Sequence, residues 1–291
     1  MRYNTSIVKK CQDYLRWKHK KQGLKGEEMS MKKEVMVDMT SGRIAPQILR
    51  FAMPVLLGLV FQRIYNFADS YIVGHFLGDN ALAAVSVAGV GMYLVFSLII
   101  GLTTGVTVVM SQYYGAKEED KVVKTFFSSI FIALGMTILV TVIGLLMTRP
   151  LLIVLQTPAE VLDAAVLYLR IICAGSVGTM LYNWISAVLR SLGNSVVPLI
   201  FLGISSLLNI VFDILFVAVI PMGVGGAAFA TVLAQIISGV ACLLYAWKIL
   251  PMLRIRRDKL KLDTYIGKQM LVYGLPAALQ MSIISISDMT L

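Results

Sequence analysis

The sequence predicts an all-α, polytopic membrane protein, and three observations lead to that fold class. Of its 291 residues, 58% are hydrophobic and 14% are charged, whereas soluble domains carry about 25% charged residues. The apolar residues are gathered into long runs that reach the roughly 20 residues a spanning helix needs. These runs lack the period-two alternation that is typical of outer-membrane strands.

Six complete apolar runs follow one another along the chain, and a seventh begins near residue 268. They cover about residues 50–73, 80–112, 122–147, 160–191, 195–220 and 225–249. Each meets or exceeds the length of a membrane span, and the longest can tilt or project beyond the bilayer.

The runs divide the chain into four predicted segments. Residues 1–45 form a basic N-terminal segment, and residues 46–250 form a six-helix transmembrane unit. A basic loop follows at 251–267, and the start of a further helix at 268–291.

The loop charges predict the orientation in the membrane. Most of the 26 lysine and arginine residues fall in the N-terminal segment and in the loops after the second, fourth and sixth spans. The loops on the opposite side contain only Arg149. This alternation is the positive-inside pattern, so we expect a multi-pass protein of the cell (inner) membrane with a cytoplasmic N-terminus. We interpret the basic segments as contacts with anionic lipid rather than with nucleic acid.

Two carboxylates, Asp69 and Asp213, lie inside apolar spans, where an ionisable side chain indicates a functional site. At a rise of about 1.5 Å per residue, Asp69, Asp213 and Thr231 are expected roughly 6–9 Å inside the outer ends of the first, fifth and sixth spans. Asn209 precedes Asp213 by one helical turn on the same face. Their carboxylate, amide and hydroxyl oxygens suit a proton or a small hard cation. The alternatives are that Asp69 only reaches the outer interface and that Asp213 has a structural role.

Other residues in the spans suggest ion pairing or helix bending. Arg63 and Arg170 are candidates for an ion pair with one of the aspartates. Pro54 lies inside the first span, where its missing backbone donor permits a kink. Glycines within the spans provide close helix contacts or bending points; they are Gly58, Gly101, Gly105, Gly135, Gly144, Gly175, Gly178, Gly203 and Gly239.

A short repeat predicts a second half for the protein. Phe51-Ala52-Met53-Pro54 in the first span is echoed by Tyr273-Gly274-Leu275-Pro276 in the seventh. The same aromatic-small-apolar-proline order six spans later indicates a second six-helix lobe. We therefore expect the chain to contain one lobe and the opening of the next.

Five ordered stretches of the chain resemble the multidrug and toxic compound extrusion (MATE) transporters, particularly the bacterial branch. They are PVLLGLVFQRIYNFADSYIVGHFLGDNALAAVSVAG, GLTTGVTVVMSQYYGAK, VLRSLGNSVVPL, SSLLNIVFDILFV and GVGGAAFATVLAQ. The resemblance covers about residues 40–291. It implies the six-helix N-lobe of a two-lobed, twelve-helix antiporter with a partial seventh helix. It also implies that Asp69, Asp213, Asn209 and Thr231 form that lobe's coupling-ion site.

The resemblance implies a secondary active efflux antiporter that works by alternating access. Its partners would be membrane lipid and small cationic or amphipathic compounds, with H+ or Na+ as coupling ion and no other cofactor. Proton loading would bend the first helix near Pro54, whereas Na+ would bind Asp213, Asn209 and Thr231.

Other functions remain open at this stage. A lipid-linked oligosaccharide flippase shares the two-lobed architecture, but it is expected to line its cavity with cations. The other alternative is a non-transporting membrane scaffold. An enzyme is not expected, because the sequence shows no nucleophile–base pair, metal cluster or phosphate-binding glycine loop. The coupling ion, the substrate and the oligomeric state are left open.

Overall fold

The computed structural model describes residues 43–250 and 261–290, in which every regular element is helical. These residues belong to a compact unit, Met39–Leu291. Most of the segment predicted at 1–45 and of the loop predicted at 251–267 lies outside the described residues. The helices are α1 Ile44–Leu77, α2 Asp79–Gly115, α3 Glu119–Val154, α4 Ala159–Ala174, α5 Ser176–Ser191, α6 Val196–Asp213, α7 Gly223–Ile249 and α8 Thr264–Thr290.

The helix lengths confirm the predicted class of multi-span membrane protein. Among the described residues, five helices are long and apolar enough to cross a membrane, and the bent pair α4–α5 makes a sixth span if it is counted as one. These six correspond in order to the six complete apolar runs of the sequence. Helix α8 begins four residues before the predicted start of the seventh run and extends over 27 residues.

Two glycines determine how neighbouring helices are joined. Gly78 links α1 to α2 with a φ of 84°, a left-handed conformation that favours glycine. Gly175 separates α4 from α5, whose axes differ by 50°. A Cβ atom at Gly175 would overlap the side chain of Val232 on α7. Gly175 therefore provides both the bend and the close contact that were predicted for glycines in the spans.

Helix α1 runs through Pro54 without a break. One turn later, Gly58 lies against α6, because a Cβ atom there would be 3.4 Å from Leu202. Pro54 therefore stands inside a continuous helix in this conformation, and its predicted role in bending stays a prediction.

The start of α6 is fixed by polar contacts. The side-chain oxygen of Asn194 accepts a hydrogen bond from the Val197 amide at 3.0 Å. Pro198 occupies the first turn, where its missing donor costs no helical bond. The Tyr182 hydroxyl donates to the Pro198 carbonyl at 2.9 Å and ties α6 to α5.

The fifth span changes its helical form directly after Asp213. Residues Ile214–Val219 form a π-helix instead of continuing the α-helix. The Ile220 amide donates to the Leu215 carbonyl at 2.8 Å, which is the i to i−5 spacing of this form. The apolar run predicts one uninterrupted helix here, because six apolar residues carry no periodicity that separates a π-helix from an α-helix. Such π segments are frequent at functional sites.

The packing places one group of helices around a common space. Helix α2 packs against α3, α4, α5 and α8, while α7 packs against α4, α5 and α6. Helix α1 contacts α6 and α2. The polar residues of the first, fifth and sixth spans therefore lie on helices that are direct neighbours.

Candidate coupling-ion site

The structure brings together the four polar residues that the sequence singled out. Asp69 lies on α1, Asn209 and Asp213 on α6, and Thr231 on α7. All four are buried, with exposed fractions of 6% for Asp69 and 0% for Asp213. We call these four residues the acidic cluster.

The depths of these residues are similar but somewhat greater than predicted. Helix α1 continues to Leu77 rather than ending near Val73, so Asp69 lies roughly 12 Å from its end. Helix α7 begins at Gly223, which places Thr231 roughly 12 Å along it. Both helices extend beyond their predicted outer ends, so the polar groups still lie at one level.

Asn209 stands between Asp213 and Thr231 and bonds to both. Its amide nitrogen donates to Asp213 Oδ2 at 2.8 Å, and its amide oxygen accepts from the Thr231 hydroxyl at 3.1 Å. This orientation satisfies both ends of the amide, because a carboxylate oxygen only accepts hydrogen bonds whereas a hydroxyl group can donate one.

The carboxyl groups of Asp69 and Asp213 lie within hydrogen-bonding reach of each other. A hydrogen bond between two carboxyl groups requires a proton on at least one of them. Each group also has one oxygen, Oδ1, without a hydrogen-bond partner among the described residues. The pair can therefore hold a proton, and its free oxygens can accept a further donor or a cation.

Two tyrosines that were not predicted from the sequence lie beside the cluster. Tyr65 on α1 and Tyr168 on α4 line the same cavity as Asp69 and Thr231. Tyr65 precedes Asp69 by four residues, so the two share one face of α1. That spacing was visible in the sequence, whereas the position of Tyr168 depends on how α4 packs.

The acidic cluster borders a cavity of about 290 Å³. Asp69, Asn209 and Thr231 line it, whereas Asp213 lies behind them. Among the described residues, those that line the cavity include no lysine, arginine or histidine. The other polar lining residues are Gln62, Tyr65, Asn66, Ser70, Ser86, Tyr93, Tyr168, Thr179, Tyr182, Asn183, Ser205, Ser206 and Gln235. The cavity therefore combines one carboxyl group with many neutral donors and acceptors.

The ion pair suggested for Arg63 or Arg170 is not formed in this structure. Both arginines are exposed. The ion pairs between described residues join Lys121 to Glu118 and Arg149 to Asp163. Arg63 lies six positions before Asp69, and Arg170 lies two positions after Tyr168, so at 3.6 residues per turn each arginine is on a different helix face from its neighbour in the cavity lining.

The described residues contain no group of three or more His, Cys, Asp or Glu side chains that could hold a metal ion. Cys173 and Cys242 are buried free thiols. A monovalent cation is a different case, because Asp213 Oδ1 has no hydrogen-bond partner in the part of the chain that the structure describes, and the oxygens of Asn209 and Thr231 are adjacent. This donor set fits Na+ chemically.

Comparison with known proteins identifies a set of related sequences. A family model described as MatE matches residues 54–215. The chain is 35% identical over 251 residues to the probable multidrug resistance protein YpnP of Bacillus subtilis (strain 168), covering 85% of this chain and 55% of that protein. It is 26% identical over 241 residues to the probable multidrug resistance protein NorM of Thermotoga maritima, covering 81% of this chain and 52% of that protein.

Solved structures share the helical fold. A crystal structure of MATE in the bent conformation has a TM-score of 0.79 at 25% identity and covers 86% of this chain and 57% of that one. A MOP superfamily transporter from Pyrococcus furiosus gives a TM-score of 0.78 at 25% identity, with 86% and 56% covered. The chain spans about half the length of the relatives it matches. These matches confirm the predicted fold class.

Proposed function

Because this chain belongs to the MatE family of membrane transporters, we propose that it is part of a secondary active antiporter for multidrug efflux. The protein exports cationic or amphipathic small molecules in exchange for H+ or Na+. One observation carries this proposal: two buried carboxyl groups are in contact, and one of them opens onto a cavity.

The position of Asp69 supplies a physical reason for exchange. Its side chain borders the cavity on one side and reaches Asp213 on the other. A cationic substrate is attracted to Asp69 only when that carboxyl group is ionised, whereas the proton-bridged pair has lost at least one negative charge. Substrate and proton therefore compete for the same carboxyl group, and binding of one favours release of the other.

Asn209 connects Asp213 to Thr231 on α7. Its amide nitrogen donates to Asp213 Oδ2, and its amide oxygen accepts from the Thr231 hydroxyl. The cluster therefore joins α6 and α7 through neutral groups that adjoin the carboxyl pair. If Na+ is the coupling ion, the oxygens of Asp213, Asn209 and Thr231 bind it.

Helix α1 carries both Asp69 and Pro54. Neutralisation of Asp69 removes an electrostatic constraint on α1, and Pro54 allows the helix to bend. Bending of α1 then reduces the cavity volume and expels the substrate.

The lining of the cavity defines the class of substrate. A single carboxyl group favours compounds with one positive charge. Tyr65, Tyr93 and Tyr168 offer aromatic faces to a cation. Met92 and Phe96 offer adaptable apolar contact. The described lining lacks the cations expected for a pyrophosphate-linked lipid, which favours an exporter over a flippase.

The charged ends of the described helices support a cytoplasmic N-terminus in the inner membrane. Basic residues occupy the first two turns of α1, α3 and α8 and the last turns of α5 and α7, which all lie on one side in an alternating topology. They include Arg50, Lys121, Lys124, Arg190, Lys248 and Lys268. On the opposite side, Arg149 is paired with Asp163.

A transport assay tests the proposal. The native full-length gene product is reconstituted into vesicles, and efflux of ethidium is followed under a pH gradient and a Na+ gradient imposed separately. We expect Asp69→Asn and Asp213→Asn each to reduce transport at least tenfold. Asp163→Asn, which changes an exposed carboxylate, should transport like the unmodified protein. Unmodified rates in both cluster variants would refute the proposed mechanism, and failure of either gradient to drive efflux would refute antiport.

A further inference from the structure

Arg63 is a charged side chain near the middle of a membrane span, and it takes no part in the acidic cluster. Helix α1 has 34 residues from Ile44 to Leu77, and Arg63 lies close to its midpoint. The side chain is exposed, and the ion pairs between described residues do not include it. A charge at the centre of a bilayer is costly, so an arginine kept there indicates a functional role.

Helical spacing places Arg63 at the edge of the face of α1 that lines the cavity. Asn66 and Ser70 follow it by three and seven positions, a spacing that returns to one side of a helix. At 3.6 residues per turn, Arg63 is about 20° from Ser70 and about 120° from Asp69 around the axis. The lining residues of α1 are Gln62, Tyr65, Asn66, Asp69 and Ser70. Arg63 therefore stands beside the rim of the cavity rather than inside it.

The opposite side of α1 is occupied by α6. A Cβ atom at Gly58 would be 3.4 Å from Leu202 on α6, and Arg63 is about 140° from Gly58 around α1. An arginine side chain has a long apolar stem and turns its charged end toward polar surroundings. The side chains of Gln62 and Asn66, which line the cavity, offer such surroundings at the same level.

Arg63 and Asp69 offer opposite charges to a molecule in the cavity. Asp69 lies six positions after Arg63, which is about 9 Å along the helix axis. Among the described residues, those that line the cavity contain no basic side chain, and Asp69 is their one carboxyl group. An ionised Asp69 attracts a cationic group and repels an acid group. The guanidinium of Arg63 binds a carboxylate through two parallel hydrogen bonds and so offsets that repulsion.

We propose that Arg63 is a specificity-determining residue, which binds the acid group of a zwitterionic substrate while Asp69 binds its cationic group. The inference rests on the proposed efflux function and names a narrower substrate class for the same cavity. A compound that carries only a positive charge gains nothing from Arg63. The residue therefore distinguishes between compounds that differ only in an acid group.

Two dyes that differ in one acid group test this role. Tetramethylrhodamine carries a cationic ring system and a carboxylate, whereas its methyl ester carries the cation alone. The full-length protein is reconstituted into vesicles, and KM and kcat are measured for each dye under the gradient that drives ethidium efflux. The variants are Arg63→Gln, Arg63→Lys and, as a matched control, Arg170→Gln. Arg170 is also exposed within a span, but it lies two positions after Tyr168 and so on the opposite side of α4 from the cavity.

We expect Arg63→Gln to raise KM for tetramethylrhodamine at least tenfold and to leave KM for the methyl ester within twofold. Arg63→Lys keeps the charge and should recover most of that loss, and Arg170→Gln should behave like the unmodified protein with both dyes. Equal changes for the two dyes, or no change for either, would overturn the role of Arg63, while efflux of the methyl ester would leave the proposed function standing. An unmodified protein that exports the ester but not tetramethylrhodamine would overturn that role as well. Absence of efflux of both dyes from the unmodified protein would remove both proposals.

Discussion

Replacement of Asp213 by asparagine should stabilise the protein while it abolishes exchange. Asp213 is completely buried, faces a second carboxyl group and leaves Oδ1 without a partner. An unsatisfied buried polar atom costs about 1–3 kcal/mol. Asparagine keeps the size of the side chain, removes the possibility of a buried charge and can donate its amide hydrogen to Asp69.

We therefore expect Asp213→Asn to raise the free energy of unfolding by about 1–3 kcal/mol. For a unit of this size, each kcal/mol raises Tm by roughly 2–4 °C. Thermal unfolding in detergent can be followed through tryptophan fluorescence, because Trp184 is buried against Phe126 and reports on the interior. Residues that serve a functional site often lower the free energy of unfolding in this way.

The control for this measurement is Asp163→Asn. The Asp163 side chain is 83% exposed and pairs with Arg149 at 3.1 Å, so its loss should change stability by less than about 1 kcal/mol. An Asp213→Asn protein that melts at or below the Tm of the unmodified protein would refute the reasoning. That result would mean that the Asp213 carboxyl group stabilises the folded protein rather than destabilising it.

Three further substitutions test separate parts of the structure. Thr231→Val should reduce ethidium efflux about tenfold, because the hydroxyl bonded to Asn209 is lost, whereas efflux by Thr231→Ser should persist. Equal efflux rates for the two Thr231 variants would contradict this role. Gly105→Ala should lower the free energy of unfolding by about 1–3 kcal/mol, because the added methyl group overlaps α8. Gly135→Ala, whose methyl group meets open space, should not lower Tm, and an equal Tm for the two glycine variants would argue against the close contact between α2 and α8. Trp184→Phe should cost about 1 kcal/mol through loss of its 2.8 Å bond to Ser129, and an unchanged Tm would contradict that contribution.

The elements that the sequence predicted best are those that depend on local composition. Apolar runs of 20 or more residues have few stable arrangements other than membrane helices, so the helices and their order were predictable. Asp69 and Asp213 stood out because their surroundings are apolar. Helical rise then placed Asn209 and Thr231 at the same level. The structure brings these four residues together, and their role in coupling stays a prediction.

The sequence did not predict how each helix is rotated about its own axis, nor where the helix changes from the α to the π form. Arg63 and Arg170 lie at suitable depths, yet their helical phase directs them away from the acidic cluster. Tyr168 lines the same cavity as Thr231 because α4 packs on α7. The π-helix after Asp213 has no signature in a short apolar run.

The sequence alone determined the membrane class, the order of the spans and the common level of the acidic cluster, because hydrophobicity and helical rise act along one axis. The tertiary structure alone decided which faces meet: the contact between the two carboxyl groups, the lining of the cavity without a basic residue, and the close packing of Gly101 and Gly105 on α2 against α8. Helix rotation and neighbour choice arise from side-chain packing between segments far apart in sequence, and close packing selects among faces that composition leaves equivalent.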